Sequence, residues 1–304
     1  MTAFVQNAMD AIALGSLFAL TALGIGLIFG VMRLINFAHG DFIMIGGYAL
    51  IVPSSAVTAS LFIGAWPAPF LIGAICLLII LLAVASERLA FRPLRGAQPS
   101  VLLITSFALS FFFEHLVIMV YGGRPKAVNI WANLIEPVVI AGVRVPELQI
   151  ITIGVTITLL LALVVFLRYT PVGVAIRAAS EDFAMARLLG VRANRVIAVA
   201  FAISGFLAAV VSLLLVTQTG VLSFHMGIPL VLFAFVATVV GGMGSLSGAV
   251  LGGFVVGVAS VVFQTVLPIE LRPNRDVWVY AMVLLILLLR PSGLVKVKSI
   301  EEKV

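Results

Sequence analysis

The chain has 304 residues, of which 63% are hydrophobic and only 10% charged, with a formal net charge of +6 and a mean hydropathy of +1.28. Soluble domains carry about 25% charged residues, so no water-soluble fold could hide this much apolar surface, and the solvent must be lipid. At about 20 residues per span the length allows at most about ten spans and no soluble domain of ordinary size, while the basic residues fall in short loops between apolar runs, an orientation signal rather than a nucleic-acid site.

The first apolar run covers residues 11–32, and no lysine or arginine precedes Arg33. A secretory signal needs a basic start, so this run reads as a retained span. Asp10 before it and Arg33 after it put the N-terminus outside. A polar break, Arg33-Leu-Ile-Asn-Phe-Ala-His-Gly-Asp41, separates it from a second run at 42–65, interrupted by Pro53. The third run is 68–86. It holds Cys76, the single cysteine, which excludes an internal disulfide, argues against structural zinc and reads as packing. The connection 87–98 carries Arg88, Arg92 and Arg95 and should be cytoplasmic.

The fourth run is 100–121, and the connection 122–148, with mixed charges, Trp131 and several prolines, should be external. The fifth run is 149–167. Residues 168–195 follow, with Arg168, Arg177, Arg187, Arg192 and Arg195 against Glu181 and Asp182, and should be cytoplasmic. The sixth run is 196–216. Residues 228–267 hold no charge but are cut at 241–248 by Gly-Gly-Met-Gly-Ser-Leu-Ser-Gly. About 13 residues precede the cut, which is short for a span and suits a re-entrant or broken helix. Residues 249–267 are long enough. A charge-balanced connection at 268–276 should be external. The last run, 277–289, is short and leads to a cytoplasmic tail with Arg290, Lys296, Lys298 and Lys303. The expected fold is therefore all-α: one polytopic transmembrane helix bundle over 1–304, of about eight spans (seven to nine), with the N-terminus outside and the C-terminus cytoplasmic. Gly24, Gly26 and Gly30, and Gly248, Gly252 and Gly257, recur about a helical turn apart and read as close helix packing.

Nothing in the chain looks catalytic. The glycines at 241–248 lack the lysine of a phosphate loop, no H-E-x-x-H pair occurs, and His39, His115 and His225 are scattered. No metal or cofactor is expected, and the energy for any transport must come from a partner or an ion gradient. Three polar constellations stand out. Asn36, His39, Gly40 and Asp41 form either a helix interruption beside a substrate path or a plain cytoplasmic turn with Asp41 capping the next helix. Residues 175–189 read as a short amphipathic helix with Ile176, Ala179, Phe183, Ala186 and Leu189 on one face, ended by Gly190. It could lie on the lipid surface or dock in a partner's groove. Glu114-His115 is an ionisable pair at membrane depth, either lining a path or bonded to a neighbouring helix. Glu114 is the only clear coupling-ion candidate, which weighs against ion coupling.

Three stretches together resemble the permease subunits of the branched-chain amino-acid (Liv-type) ABC importer family. They are Leu34-Ile-Asn-Phe-Ala-His-Gly-Asp-Phe-Ile-Met-Ile-Gly-Gly-Tyr48, Arg177-Ala-Ala-Ser-Glu-Asp-Phe-Ala-Met-Ala-Arg-Leu-Leu-Gly-Val191 and Val240-Gly-Gly-Met-Gly-Ser-Leu-Ser-Gly-Ala249, in order, spacing and total length. The resemblance implies a non-enzymatic transport subunit of a bacterial inner membrane that pairs with a second permease. Two cytoplasmic ATPases would dock below and an external binding protein would deliver substrate above. It implies that 168–195 is a coupling segment, with Arg177, Glu181, Asp182, Leu189 and Gly190 meeting an ATPase. It makes Asn36, His39, Gly40, Asp41, Glu114, Gly241, Gly242, Gly244 and Ser245 the candidates for path or gate. Glu114-His115 is more charged than the family pattern at that point. Related permeases carry urea or short amides, and the rival from another class is an ion-coupled transporter or channel working through Glu114 or Asp41.

Overall fold

The computed structural model describes residues 2–54, 56, 58–140, 143–291 and 293–295. Helix α1 (Thr2–Met32) starts well before the expected residue 11. Its early polar residues Gln6, Asn7 and Asp10 are only partly buried, where they cost a helix only tenths of a kcal/mol, and Asp10 accepts a 2.7 Å hydrogen bond from the Gln149 amide. At about 1.5 Å per residue the helix is about 46 Å long. From Ala13 to Val31 it is almost wholly buried, so it is the central post of the bundle rather than a lipid-facing span.

The chain leaves α1 at Arg33, in the left-handed region at φ 54°, and re-forms as α2 (His39–Tyr48). The expected second span over 42–65 is not formed. Helix α2 stops after 10 residues, residues 52–54 are non-helical, and Ile51 pairs back with Leu61. Pro53 has no N–H to continue a helix and disfavours helical geometry in the residue before it. A helix this short leaves irregular backbone at depth, which is tolerable only when protein surrounds it. Nine of its ten residues are buried.

Helix α3 (Ala68–Ser86) continues through a π turn and a 3-10 turn to give one apolar rod, Ala68–Leu94. The buried Glu87 carboxylate near its end meets Arg95, which also reaches Asn194. Helix α4 (Pro99–Tyr121) leads to strand β1 (Lys126–Ala127) and to a hairpin of β2 (Pro137–Ile140) and β3 (Val143–Pro146). The remaining elements are α5 (Glu147–Tyr169), α6 (Pro171–Glu181), α7 (Phe183–Leu188), α8 (Ala193–Thr219), β4 (Val221–Leu222), α9 (Gly227–Gly241), α10 (Leu246–Val266) and α11 (Arg275–Leu289). Strand β4 pairs antiparallel with β1. Among the described residues these two small ribbons and the isolated bridges Ile51–Leu61 and Thr58–Ala127 lie in connections rather than spans. Among the described residues six helices are long and apolar enough to cross a membrane, while α9 and α11 have 15 residues each.

Small residues set the spacing at the centre. A Cβ on Gly253 would lie 2.5 Å from Ala19 Cα, and one on Gly257 would lie 2.3 Å from Gly15 Cα, so α10 runs against α1 backbone to backbone. Gly26 likewise meets Ala249, while Gly30 has only Ser180 at 3.7 Å. The residues after α11 return to this centre. The Leu294 N–H donates to the Val240 carbonyl at 2.8 Å and the Val295 N–H to the Gly241 carbonyl at 3.0 Å, occupying acceptors at the end of α9 that the helix itself leaves free. Lys296, Lys298 and Lys303 of the expected tail lie outside the described residues.

The arginines of residues 33, 88, 92, 95, 168, 177, 187, 192 and 195 sit at the end where α1, α3 and α5 finish and α4 and α8 begin, hereafter the basic end. At the opposite end Lys126 is buried, and its ammonium donates to the Ser54 and Ala56 carbonyls at 2.5 and 2.7 Å, tying the connection after α2 to β1. Lys126→Met strands both carbonyls, so it should lower stability by about 2 kcal/mol. A thermal melt in mild detergent checks this, and an unshifted melt would remove the clamp from the account.

Candidate functional site

The break after α1 is internal. Gly24 lies eight residues before the end of α1, about 12 Å along the helix, and a Cβ there would lie 2.4 Å from Cε1 of His39. The missing side chain is what admits the imidazole, whose Nδ1 is 3.0 Å from Ser204 Oγ on α8. The first residue of α2 therefore sits mid-bundle, which removes the plain terminal turn. Nor does Asp41 cap the helix: Ala38 holds the N-cap position and no side chain bonds to it. Gly40 and Gly227 bring α2 and α9 into backbone contact, a Cβ on Gly227 falling 2.1 Å from the Gly40 carbonyl oxygen. Asn36 is fully buried with both amide atoms unpartnered among the described residues, as are His39 Nε2 and Asp41 Oδ2.

Helix α4 closes one side of the break with a polar stripe at four-residue steps. The Ser106 hydroxyl lies 3.3 Å from the Ile35 carbonyl and also reaches Leu103 of its own helix at 2.8 Å. Phe107 stacks on Phe37 with ring centroids 4.3 Å apart. Phe42 of α2 meets Phe113 of α4 with ring centroids 6.1 Å apart, so Asp41, one residue before Phe42, lies at the contact of α2 with the helix that carries Ser110 and Glu114. Glu114 Oε1 in turn lies 3.4 Å from His225 Nδ1 in the turn before α9. Sequence reasoning joined Glu114 to His115, but successive helical residues do not share a face. His115 turns outward, with Nδ1 2.9 Å from the Phe111 carbonyl. Ser110 and His225 were missed as members of this site. The i, i+4, i+8 spacing of Ser106, Ser110 and Glu114 was a readable signal, whereas the arrival of His225 from 111 residues away was not.

The glycine break lies elsewhere, at the basic end. Gly241 ends α9, Gly242 and Gly244 take positive φ of 109° and 93°, and Ser245 caps α10 by accepting from the Gly248 N–H at 3.0 Å. Gly244 and Ser245 line a cavity of about 770 Å³ whose other walls include Arg33, Arg177, Ser180 and Glu181. Arg33 bonds across to the Ser180 carbonyl at 3.4 Å. So the structure gathers Gly244, Ser245, Arg177 and Glu181 at one place. It leaves Asn36, His39, Gly40, Asp41 and Glu114 at another, deeper in the bundle.

The segment expected as one helix over 175–189 is two. Thr170 caps α6, accepting from Gly173 at 3.0 Å, and Arg177 Nε donates to the Leu167 carbonyl at 2.9 Å, holding α6 against α5. Asp182 is extended and its carboxylate accepts from the Met185 N–H at 2.9 Å, which stops α6 and starts α7. An aspartate that can bond to a nearby backbone N–H favours such a cap over a helix interior. Gly190, at φ 87°, then closes α7 with paired bonds from Gly190 to Arg187 and from Val191 to Ala186. Leu188 and Leu189 are 82% and 79% exposed and Met185 is also exposed, so an apolar patch stands open at the basic end.

The sequence model of the family described as "Branched-chain amino acid transport system / permease component" matches residues 7–289. The chain belongs to this family. It is similar to the high-affinity branched-chain amino acid transport system permease protein LivH of Salmonella typhimurium, 34% identical over 98% of this chain and 97% of that protein. The protein of the same name in Escherichia coli is 33% identical over 98% of this chain and 97% of its own length. The permease protein BraD of Pseudomonas aeruginosa is 33% identical over 98% of each chain. No solved structure matches. As a member of this permease family the chain is a multi-pass membrane protein and a transport subunit, and its helical bundle is the architecture such a subunit needs.

Proposed function

We propose that the chain is the transmembrane subunit of an ATP-driven importer of branched-chain or related amino acids in a bacterial inner membrane. It forms the path with a second permease, receives substrate from an external binding protein and takes its energy from two cytoplasmic ATPases. The observation that carries this reading is the open patch of Met185 and Leu188 on α7 and Leu189 just after it. Exposed apolar surface rimmed by charge marks a docking site, and here it lies among arginines that the positive-inside rule assigns to the cytoplasm. That orientation puts the start of α1 outside and the segment after α11 inside.

In this reading an ATPase grips α6 and α7, with Glu181, Asp182, Leu189 and Gly190 at the contact and Arg177 tying α6 back to α5. Movement of α6 is felt across the cavity it shares with Arg33, Gly244 and Ser245. From there it reaches the break at 33–38 and the α9–α10 turn, which are the gate elements. The deep groups His39, Gly40, Asp41 and Glu114 belong to the path, and Asn36, within the break, stands where gate and path meet.

The test is uptake of radiolabelled leucine by proteoliposomes holding this chain, its partner subunits and ATP, against a proton gradient alone. The expected result is ATP-dependent uptake competed by isoleucine and valine. ATP-dependent uptake of urea or a short amide instead would keep the machine and move the substrate. Gradient-driven uptake without ATP would replace the ABC reading with an ion-coupled transporter working through Asp41 or Glu114.

A further inference from the structure

We propose that the seam between α4 and the broken helix α1–α2 is a cation-selective site that takes the α-ammonium group of the transported solute. The proposal rests on the reading of the chain as an amino-acid permease. Its members are Asp41 on α2, Ser106, Ser110 and Glu114 on α4, and His225 before α9.

Carboxyl groups at membrane depth are costly unless paired or set in a path. Here two of them sit on the packed pair α2 and α4, beside the Phe42–Phe113 contact at 6.1 Å, and Asp41, only 3% exposed, keeps Oδ2 without a partner among the described residues. No lysine or arginine occurs in residues 34–48, 99–121 or 220–241, the stretches that build the seam. Among the described residues the one basic group paired with these acids is His225, 3.4 Å from Glu114 and with its side chain 59% exposed. Fixed positive charge is thus nearly missing from a place arranged for it, and a mobile ammonium group supplies it. The rest of the described chain does not close the seam over: Ser110 is only half-buried and Phe107, beside it, is exposed, on the side that a second permease would complete in the proposed reading. The Phe37–Phe107 stack offers an apolar flank for a hydrocarbon side chain, so a solute with an ammonium head and an aliphatic tail fits both parts.

Cys76 is the only cysteine, so Ser110→Cys in a Cys76→Ala chain places one reporter thiol in the seam, and Phe107→Cys provides a second should the first not assemble. Each is reacted with a trimethylammonium-ethyl and a sulfonato-ethyl methanethiosulfonate, with rates taken relative to free 2-mercaptoethanol. The expected result is at least a tenfold preference for the cation, lost when Asp41→Asn and Glu114→Gln are added. Leucinamide should protect the thiol, while 4-methylpentanamide, which lacks the ammonium group, should not. Equal normalised rates, no reaction with either reagent, or protection by sodium chloride at matched ionic strength would overturn the proposal. Labelling needs neither ATP nor partners. Cation preference without leucine uptake would sink the importer reading and leave the site standing, and the reverse would do the opposite.

Discussion

Gly252→Val should leave almost no folded chain. A Cβ at this position would lie 1.8 Å from the Ala237 carbonyl oxygen and 3.0 Å from the Gly241 nitrogen, both backbone atoms of α9. No rotamer change relieves a clash with backbone, so α9 and α10 must separate along their whole contact. Neighbouring positions share the strain, because Gly241 faces the Gly248 carbonyl and Gly253 and Gly257 of α10 pack against the α1 backbone. Overpacking in a core ordinarily costs about 1–3 kcal/mol, and displacing a helix pair at its backbone contacts should exceed about 3 kcal/mol. That is a large part of the about 5–15 kcal/mol that holds a typical domain together. Size-exclusion of a fluorescent fusion and a thermal melt read the outcome. Gly73→Val is the control, since nothing lies within 4 Å of a Cβ there. A Gly252→Val chain that elutes and melts like the parent would mean that α9 and α10 are not packed this closely.

Gly190→Pro should abolish ATP-driven uptake while the chain still inserts and folds. Gly190 closes α7 at φ 87° and donates its N–H to the Arg187 carbonyl at 3.1 Å. Proline fixes φ near −65° and has no N–H, so it removes the bond and redirects the chain between α7 and α8. The spans do not depend on this turn, but the bearing of Met185, Leu188 and Leu189 does. Glu181→Arg with Asp182→Arg should likewise uncouple the ATPases from uptake. Asp182→Asn, which keeps a side-chain acceptor for the Met185 N–H, should behave almost as the parent. Measured together, ATP hydrolysis and leucine uptake should part company in the first two variants. Uptake at parental level in Gly190→Pro would remove the docking role from α7.

Where the fold was legible, one physical signal sufficed. The runs at 68–86, 100–121, 149–167, 196–216 and 249–267 are lipid-length apolar segments, and α3, α4, α5, α8 and α10 match them to within a few residues. Lipid forces the whole backbone of such a segment into a helix. The failures occur where protein rather than lipid is the neighbour. Residues 42–65 are as apolar as a span, yet α2 ends at Tyr48 because buried surroundings accept irregular backbone. Helix α1 runs past Asp10 because that carboxylate finds Gln149, a partner 139 residues away. The split at Asp182 depended on a local hydrogen bond outweighing an amphipathic pattern. The site was half legible for the same reason. Asn36, His39, Asp41 and Glu114 were conspicuous as polar groups in apolar runs, but their grouping around α4, with Ser110 and His225 added, is a product of tertiary packing. Arg177 and Glu181 likewise meet Gly244 and Ser245 only through the basic-end cavity.

The two hydrogen bonds from Leu294 and Val295 to the end of α9 bear on how the protein is made. Helix α9 and the turn after it leave the ribosome some fifty residues before the N–H groups that complete them. Chains are synthesised from the N-terminus, and the early segments organise first. The hairpin of α9 and α10 must therefore wait, with open carbonyls at its base, until α11 has been inserted and the following residues return to it. A nascent chain halted after Leu289 would carry α1 to α11 and still lack this seam. Protease protection of stalled chains around Gly241–Gly244 should accordingly rise only once residue 295 has emerged.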